Sequence, residues 1–189
     1  MGATGSGKTE LAKHLLKKIN RVVVIDPKHT FRLDGFKIRK SLPLIGKKFQ
    51  IIYRPGRFDD GHLADFLDDL LKLKNVTIYC DELSTLIARF PAASDSLADI
   101  VRVGRELHVA VWSAVQRPKR IPLWFLSESE AINMYNLRRL DDRLYMAEFV
   151  GDAAQDEIEE FTFWWSHVKD KLPTLMTFNM SKNYIERIG

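Results

Sequence analysis

The chain begins Met1-Gly2-Ala3-Thr4-Gly5-Ser6-Gly7-Lys8-Thr9, and residues 2–9 match G-x-x-x-x-G-K-[ST], the loop that wraps the phosphates of a nucleoside triphosphate. Glycines allow backbone angles that a Cβ would forbid, and they bring successive N–H groups close to phosphate oxygens. Lys8 is expected to reach the β- and γ-phosphates, and Thr9 to hold Mg²⁺. The stretch therefore predicts a P-loop that binds ATP with Mg²⁺.

The sequence after the loop supports this interpretation, whereas the sequence before it departs from the usual pattern. Apolar residues recur at helical spacing from Leu11 to Ile19, so a helix is predicted directly after the loop, with its positive end toward the phosphates. A strand is expected before the loop, but only Met1 stands there. We expect a missing N-terminus with the native start upstream, because a P-loop at a chain end has no anchor. The alternative is that another segment fills the central strand position.

Composition places the chain among ordinary soluble proteins. Its 189 residues are 46% hydrophobic and 29% charged, which suits a single domain over 1–189 and disfavours disorder. The formal charge of +4 permits a nucleic-acid partner without demonstrating one. The single cysteine, Cys80, excludes an internal disulfide. The chain shows no membrane-span or signal-peptide pattern, so we expect an intracellular protein without stable membrane insertion.

Strand and helix patterns alternate along the chain, which predicts an α/β fold with a mainly parallel sheet flanked by helices. The run Arg21–Asp26 is apolar and β-branched, as in a strand buried on both faces. Further strands are predicted at 49–55, 76–82, 109–115 and 131–136, and helices at 62–74, 94–107, 141–150 and 152–160. The helix 141–150 is expected to turn Leu144, Ala147 and Phe149 inward. A terminal hairpin is predicted from 161–165 and 175–178, its aromatic residues interpreted as core rather than as base-stacking groups.

Polar residues at strand ends complete the predicted site. The strand 76–82 ends in Asp81 and Glu82. In P-loop NTPases an aspartate at this position helps hold Mg²⁺, and an adjacent glutamate can polarise the attacking water. Gln116 follows the strand 109–115 and is predicted to sense the γ-phosphate or hold water. We therefore assign Thr9 and Asp81 to the metal and Glu82 and Gln116 to the chemistry.

Two groups of basic residues stand outside this site. One lies in a predicted loop and is either a solvated face or a contact for phosphates; it contains Lys37, Arg39, Lys40, Lys47 and Lys48. The other comprises Arg117-Pro118-Lys119-Arg120 and Arg138-Arg139, which are candidates for DNA contact or for a subunit interface. The sequence does not separate these alternatives.

Six short motifs together resemble the HerA/FtsK superfamily of DNA-pumping ATPases, especially the genome-packaging ATPases of tailless icosahedral viruses with double jelly-roll capsids. The Gln-Arg-Pro motif is the most discriminating, because the P-loop and Asp-Glu occur in many ATPases. The motifs are Gly2–Thr9, Asp26-Pro27-Lys28, Tyr53-Arg54-Pro55, Cys80-Asp81-Glu82, Gly104-Arg105-Glu106 and Gln116-Arg117-Pro118.

The resemblance implies a RecA-like P-loop NTPase of the ASCE type that forms a ring of five or six subunits, with nucleotide at the subunit interfaces. By the same resemblance Glu82 is the catalytic base, Gln116 a sensor, and Arg105, or alternatively Arg102, the arginine finger offered to a neighbour. Double-stranded DNA and capsid vertex proteins are the implied partners. The implied location is the cytoplasm of the host cell or the virion.

Other functions compatible with the motifs are a cellular DNA translocase or helicase module, a small-molecule P-loop kinase, and a non-catalytic nucleotide-binding module. A cellular translocase normally carries extra domains, and a kinase needs an arginine-rich lid and an acceptor pocket. Stimulation of ATP turnover by DNA distinguishes the DNA-translocating functions from the kinase.

Overall fold

The structure is a computed structural model that describes residues 1–42, 47–57, 59–156, 162–167, 174–179 and 184–187. Its contacts divide the chain into two compact units. The first unit contains residues 1–14 and 114–189, and the second contains residues 15–113. The expectation of one domain over 1–189 stays a prediction.

Helices and strands alternate through the first two-thirds of the chain, and strands dominate its end. The helices are α1 (Lys8–Leu16), α2 (Asp60–Leu73), α3 (Leu83–Arg89), α4 (Pro91–Leu107), α5 (Leu123–Ser127) and α6 (Leu140–Val150), with 3-10 helices at Pro118–Arg120 and Asp152–Gln155. The strands are β1 (Arg21–Ile25), β2 (Lys37–Arg39), β3 (Phe49–Tyr53), β4 (Val76–Asp81), β5 (Val109–Ala114), β6 (Ala131–Met134), β7 (Thr162–His167), β8 (Thr174–Asn179) and β9 (Tyr184–Arg187).

A five-stranded sheet in the order β2-β3-β1-β4-β5 confirms the predicted α/β fold. The pairs β1–β3, β1–β4 and β2–β3 are parallel. Val22, Val23, Val24 and Ile25 are completely buried in the central strand. β-Branched side chains suit a strand that is covered on both faces, so the apolar run of β1 fixes its central place.

Helix α2 is an amphipathic helix of the second unit. Asp59 caps its N-terminus by accepting a hydrogen bond from the His62 N–H at 2.9 Å. Its buried face repeats at helical spacing through Leu63, Phe66, Leu67 and Leu70. This face packs beside α4, while Asp65, Asp68 and Asp69 are exposed.

A second sheet, in the order β6-β7-β8-β9, is antiparallel throughout and belongs to the first unit. The predicted terminal hairpin is confirmed as β7 and β8, and β9 adds a strand that the sequence did not predict. Phe163 of β7 is buried, and its ring centroid lies 5.1 Å from that of Tyr135. That burial favours the interpretation of the aromatic strand as core.

Several element predictions need correction. The basic stretch predicted as a loop contains the edge strand β2, and α3 follows β4 where no helix was predicted. Leu144 of α6 is 47% exposed, and Ala147 and Phe149 are half-buried, because Asp142, Met146 and Val150 occupy the inward face. The predicted helix at 152–160 is a 3-10 helix over Asp152–Gln155; its end at 157–160 lies outside the described residues.

No helix in the described ranges is long and apolar enough to cross a membrane.

Candidate nucleotide site

The start of the chain is held in place by the unit that contains β6. The Gly2 N–H donates to the Val115 carbonyl at 3.0 Å, and the Ala3 N–H donates to the Asn136 carbonyl at 3.0 Å. Residues 2 and 3 therefore lie between the residue that follows β5 and the chain that follows β6. These bonds anchor the loop at its first residues.

Gly2 is required by close packing. A Cβ added at this position would lie 2.5 Å from the Cβ of Tyr135, a separation that real side chains do not show. Tyr135 is itself buried, so it has little room to give way. The first glycine of the motif thus permits a close approach of two backbones.

The middle of the loop forms a cradle at the N-terminus of α1. Gly5 and Gly7 adopt left-handed backbone angles, with φ of +82° and +94°. Among the described residues, their N–H groups donate to no backbone carbonyl. Unsatisfied N–H groups at a helix N-terminus attract anions, so this cradle fits a phosphate group.

Lys8 lies across this cradle. Its Nζ donates to the Ala3 carbonyl at 2.5 Å and lies 3.5 Å from the Ser6 hydroxyl. The ammonium group is therefore held at the loop that the motif assigns to phosphate, and an incoming phosphate oxygen could replace the carbonyl as its acceptor. Thr9 follows it in the first turn of α1.

Gln116 is brought to the same loop. The Thr4 hydroxyl donates to Oε1 of Gln116 at 3.2 Å, although the two residues are 112 positions apart. The chain turns after β5, which positions Gln116 beside the exposed part of the P-loop. The structure thus unites the P-loop with the predicted sensor, within the first unit.

Asp81 ends β4 in the second unit and has a tyrosine as its partner. The Tyr79 hydroxyl donates to Oδ1 of Asp81 at 2.9 Å. Tyr79 is almost fully buried, and its ring lies 5.5 Å from that of Phe31, so the hydroxyl that fixes the carboxylate is itself fixed by packing. Burial, together with the nearby charge of Asp81, raises the pKa of Cys80 to about 12, so this thiol is inert at neutral pH.

Glu82 has an unusual backbone conformation. Its φ of +75° and ψ of +69° are left-handed, a conformation that costs a non-glycine residue roughly 1–2 kcal/mol. Its carboxylate accepts a hydrogen bond from the Ser84 hydroxyl at 2.6 Å. Such outliers are characteristic of functional sites, where the position of a side chain matters more than local stability.

Asp26 and Arg54 form a buried ion pair. Asp26 is 1% exposed and Arg54 8%, and their Oδ2 and Nη2 atoms are 2.6 Å apart. Asp26 also accepts hydrogen bonds from the N–H groups of Thr30 and Phe31. This ion pair therefore joins the Asp26-Pro27-Lys28 and Tyr53-Arg54-Pro55 motifs where β1 and β3 end.

Arg105 lies exposed on α4, as does Arg102, whose side chain is 3.6 Å from Asp99. The neighbouring Gly104 is buried, and a Cβ there would lie 2.6 Å from the Val109 carbonyl oxygen. Gly104 therefore allows α4 to pack closely against β5.

The predicted site residues fall into two sets. The P-loop and Gln116 belong to the first unit, whereas Asp81, Glu82 and Arg105 belong to the second. Sequence reasoning missed Tyr79 and Ser84, the partners of the two acids. Tyr79 could have been found, because residues two apart on a strand share a face.

Arg117 also belongs to a structural pair. Its Nε donates to Oδ2 of the buried Asp142 at 2.9 Å. Arg117 remains partly exposed beside this pair, and its role in DNA contact or in a subunit interface stays a prediction.

Comparison with solved structures reveals a shared fold. The genome packaging NTPase B204 from Sulfolobus turreted icosahedral virus 2, in complex with AMPPCP, superposes with a TM-score of 0.71 over 92% of this chain and 93% of that chain, at 18% identity. This chain has a P-loop NTPase fold. The same viral protein bound to sulfate gives a TM-score of 0.70 at 16% identity, with 92% of each chain covered.

A further structure, B204, the DNA-packaging ATPase from Sulfolobus turreted icosahedral virus, gives a TM-score of 0.68 at 16% identity, over 92% of this chain and 93% of that chain. The fold expected from the motif resemblance to viral packaging ATPases is therefore confirmed. No protein-family model matches the sequence, and the search of curated proteins gave no match.

Proposed function

We propose that this chain is an ATP-hydrolysing motor that moves double-stranded DNA into a viral capsid. The observation that carries the proposal is the cradle at α1, where Lys8 lies over a loop of left-handed glycines. The shared fold with a viral genome packaging NTPase over nearly the whole chain supports the packaging role.

The reaction is attack of water on the γ-phosphate, which breaks its bond to the bridging oxygen and releases ADP and phosphate. Lys8 and the N–H groups of the cradle bind the phosphates. Glu82 accepts a proton from the water, and Gln116 orients it. Arg105 of a neighbouring subunit stabilises the charge that develops in the transition state.

Thr9 and Asp81 are proposed to hold Mg²⁺. The described residues contain no group of three or more His, Cys, Asp or Glu side chains that could bind a metal, so phosphate oxygens and water would complete its shell. Bound there, Mg²⁺ would neutralise charge on the phosphates.

The motor is proposed to act as a homo-oligomeric ring of five or six subunits in the host cytoplasm or on the virion, with capsid vertex proteins as its docking partners. An arginine finger supplied in trans needs a second subunit, which a ring would provide. The exposure of Arg105 is consistent with that role.

Substitution of Lys8 tests the site. Lys8→Ala is expected to lower ATP turnover at least a hundredfold, because the phosphate charge loses its partner. Lys13→Ala is the matched control, since Lys13 lies on the same helix and forms a surface salt bridge with Glu10. Turnover is measured as phosphate release, with and without duplex DNA.

Full turnover in Lys8→Ala would show that residues 2–9 do not act as a P-loop. Release of free phosphate that rises with duplex DNA supports the motor. Transfer of the phosphate to a small acceptor instead would identify a kinase, and absence of turnover in the unaltered protein would favour a binding module.

A further inference from the structure

One edge of the five-stranded sheet carries a concentrated positive charge. We call this surface the basic edge and define it by Lys37, Arg39, Lys40, Lys47 and Lys48. Among the strands that the structure describes, β2 is the outermost of this sheet and pairs with β3. Its three residues are all exposed, as are the other three lysines.

We propose that the basic edge binds the phosphate backbone of double-stranded DNA. This inference rests on the proposed motor function and assigns the DNA contact to a particular surface.

The cations of the basic edge form no ion pair with a carboxylate among the described residues. Within the described ranges, none of their five side chains forms an ion pair or a hydrogen bond. Cations elsewhere in the chain do form such pairs; examples are Lys13–Glu10, Arg54–Asp26, Lys72–Asp69, Arg102–Asp99, Arg117–Asp142 and Arg139–Asp141. The basic edge is therefore available to an external anion.

The charge of the whole chain is also concentrated there. Residues 37–48 contain five basic side chains and no acidic one, which gives a formal charge of +5. The complete chain carries only +4, so the remainder is slightly acidic. A polyanion approaching this protein would be steered toward the basic edge.

The spacing of the strand suits a nucleic-acid backbone. Lys37 and Arg39 are two positions apart in β2 and point to the same face, about 6.6 Å apart along the strand. Adjacent phosphates of one DNA strand lie farther apart than their axial rise of about 3.4 Å, because the backbone also winds around the axis. The two side chains can therefore contact neighbouring phosphates of one strand.

A competing explanation is that the charges only prevent edge strands of different molecules from pairing. That explanation accounts for the residues of β2. It does not account for Lys47 and Lys48, which lie outside the strand. It also predicts a different result, namely aggregation of a neutralised variant without any change in its DNA binding.

The test measures the affinity for a short DNA duplex over a range of salt concentrations. The variant Lys37→Gln/Arg39→Gln/Lys40→Gln is expected to lower the slope of log affinity against log salt by about 2 to 3, because each lost phosphate contact removes roughly 0.9. The matched control, Lys72→Gln/Lys74→Gln/Arg89→Gln, removes the same charge from exposed positions of the same unit. It is expected to change the slope by less than about 1.

A second variant, Lys37→Arg/Arg39→Lys/Lys40→Arg, retains the charge and is expected to keep the slope of the unaltered protein. The melting temperature of each variant verifies folding. An unchanged slope in the neutralised variant, or an equal fall in the control, would overturn the assignment while leaving the motor intact. Absence of DNA binding by the unaltered protein would overturn both proposals together.

Discussion

Glu82 has a strained, left-handed backbone conformation. The strand β4 ends at Asp81, and the chain then enters α3 through a left-handed residue that is not glycine. Glycine would satisfy this backbone at lower cost. The presence of glutamate there is explained if its carboxylate is needed for proton transfer.

The cost of this conformation can be measured by comparing two variants. Both Glu82→Gly and Glu82→Ala lose the carboxylate and its hydrogen bond with Ser84, but only glycine relieves the left-handed angle. We expect the free energy of unfolding to be about 1 kcal/mol higher for Glu82→Gly than for Glu82→Ala. Chemical denaturation gives this difference. Equal stability of the two would show that the conformation carries no strain.

A motif predicts a site residue where it fixes the chemistry of that position. The pattern over residues 2–9 predicts phosphate binding by Lys8, and a strand ending in two acids predicts roles for Asp81 and Glu82; these roles stay predictions. The contacts of the site residues are harder to predict from the sequence. The bond between Thr4 and Gln116 joins residues 112 positions apart, so only the folded chain reveals it.

At the scale of elements, the packing of α4 on β5 depends on the absence of one side chain. Gly104 is buried where its helix meets the Val109 carbonyl oxygen. A helix interior normally disfavours glycine, so the close approach explains its presence. The exposed Arg105 is held at the next position.

Gly104→Ala is expected to lower the free energy of unfolding by about 1–3 kcal/mol, because the new Cβ must displace backbone. Gly56→Ala serves as the control, since nothing lies within 4 Å of a Cβ added there and Gly56 is exposed. Thermal unfolding of both variants measures the effect. A tolerated Gly104→Ala would mean that α4 can move away from β5 at little cost.

Elements were predicted where burial leaves a clear pattern. The run of β1 is apolar because both faces of the strand are covered. Strand β2 was missed because all three of its residues are exposed and therefore show no alternation. The orientation of α6 was wrong because Asp142 takes an inward position to pair with Arg117. A carboxylate that is buried because it forms an ion pair leaves no hydrophobic signal.

At the scale of the whole molecule, the proposed chemistry needs more than one subunit. If Arg105 acts on a neighbour, mixing Arg105→Ala with Glu82→Gln subunits should restore part of the turnover that each lacks alone. Some interfaces would then combine an intact Glu82 with an intact Arg105. Phosphate release from assembled mixtures is the measurement.

Mixing Arg102→Ala with Glu82→Gln is the comparison, because Arg102 is the alternative finger and belongs to the same helix. If Arg105→Ala keeps full turnover by itself while Arg102→Ala loses it, the finger is Arg102. Assembled mixtures without any rescue would count against a finger supplied in trans.

Translocation along double-stranded DNA driven by ATP hydrolysis can be measured as the displacement of a third strand, bound as a triplex on a DNA duplex. We expect displacement that requires ATP and disappears in Glu82→Gln, which should bind ATP but hydrolyse it at least a hundredfold more slowly. ATP hydrolysis stimulated by DNA without any displacement would contradict a translocating motor.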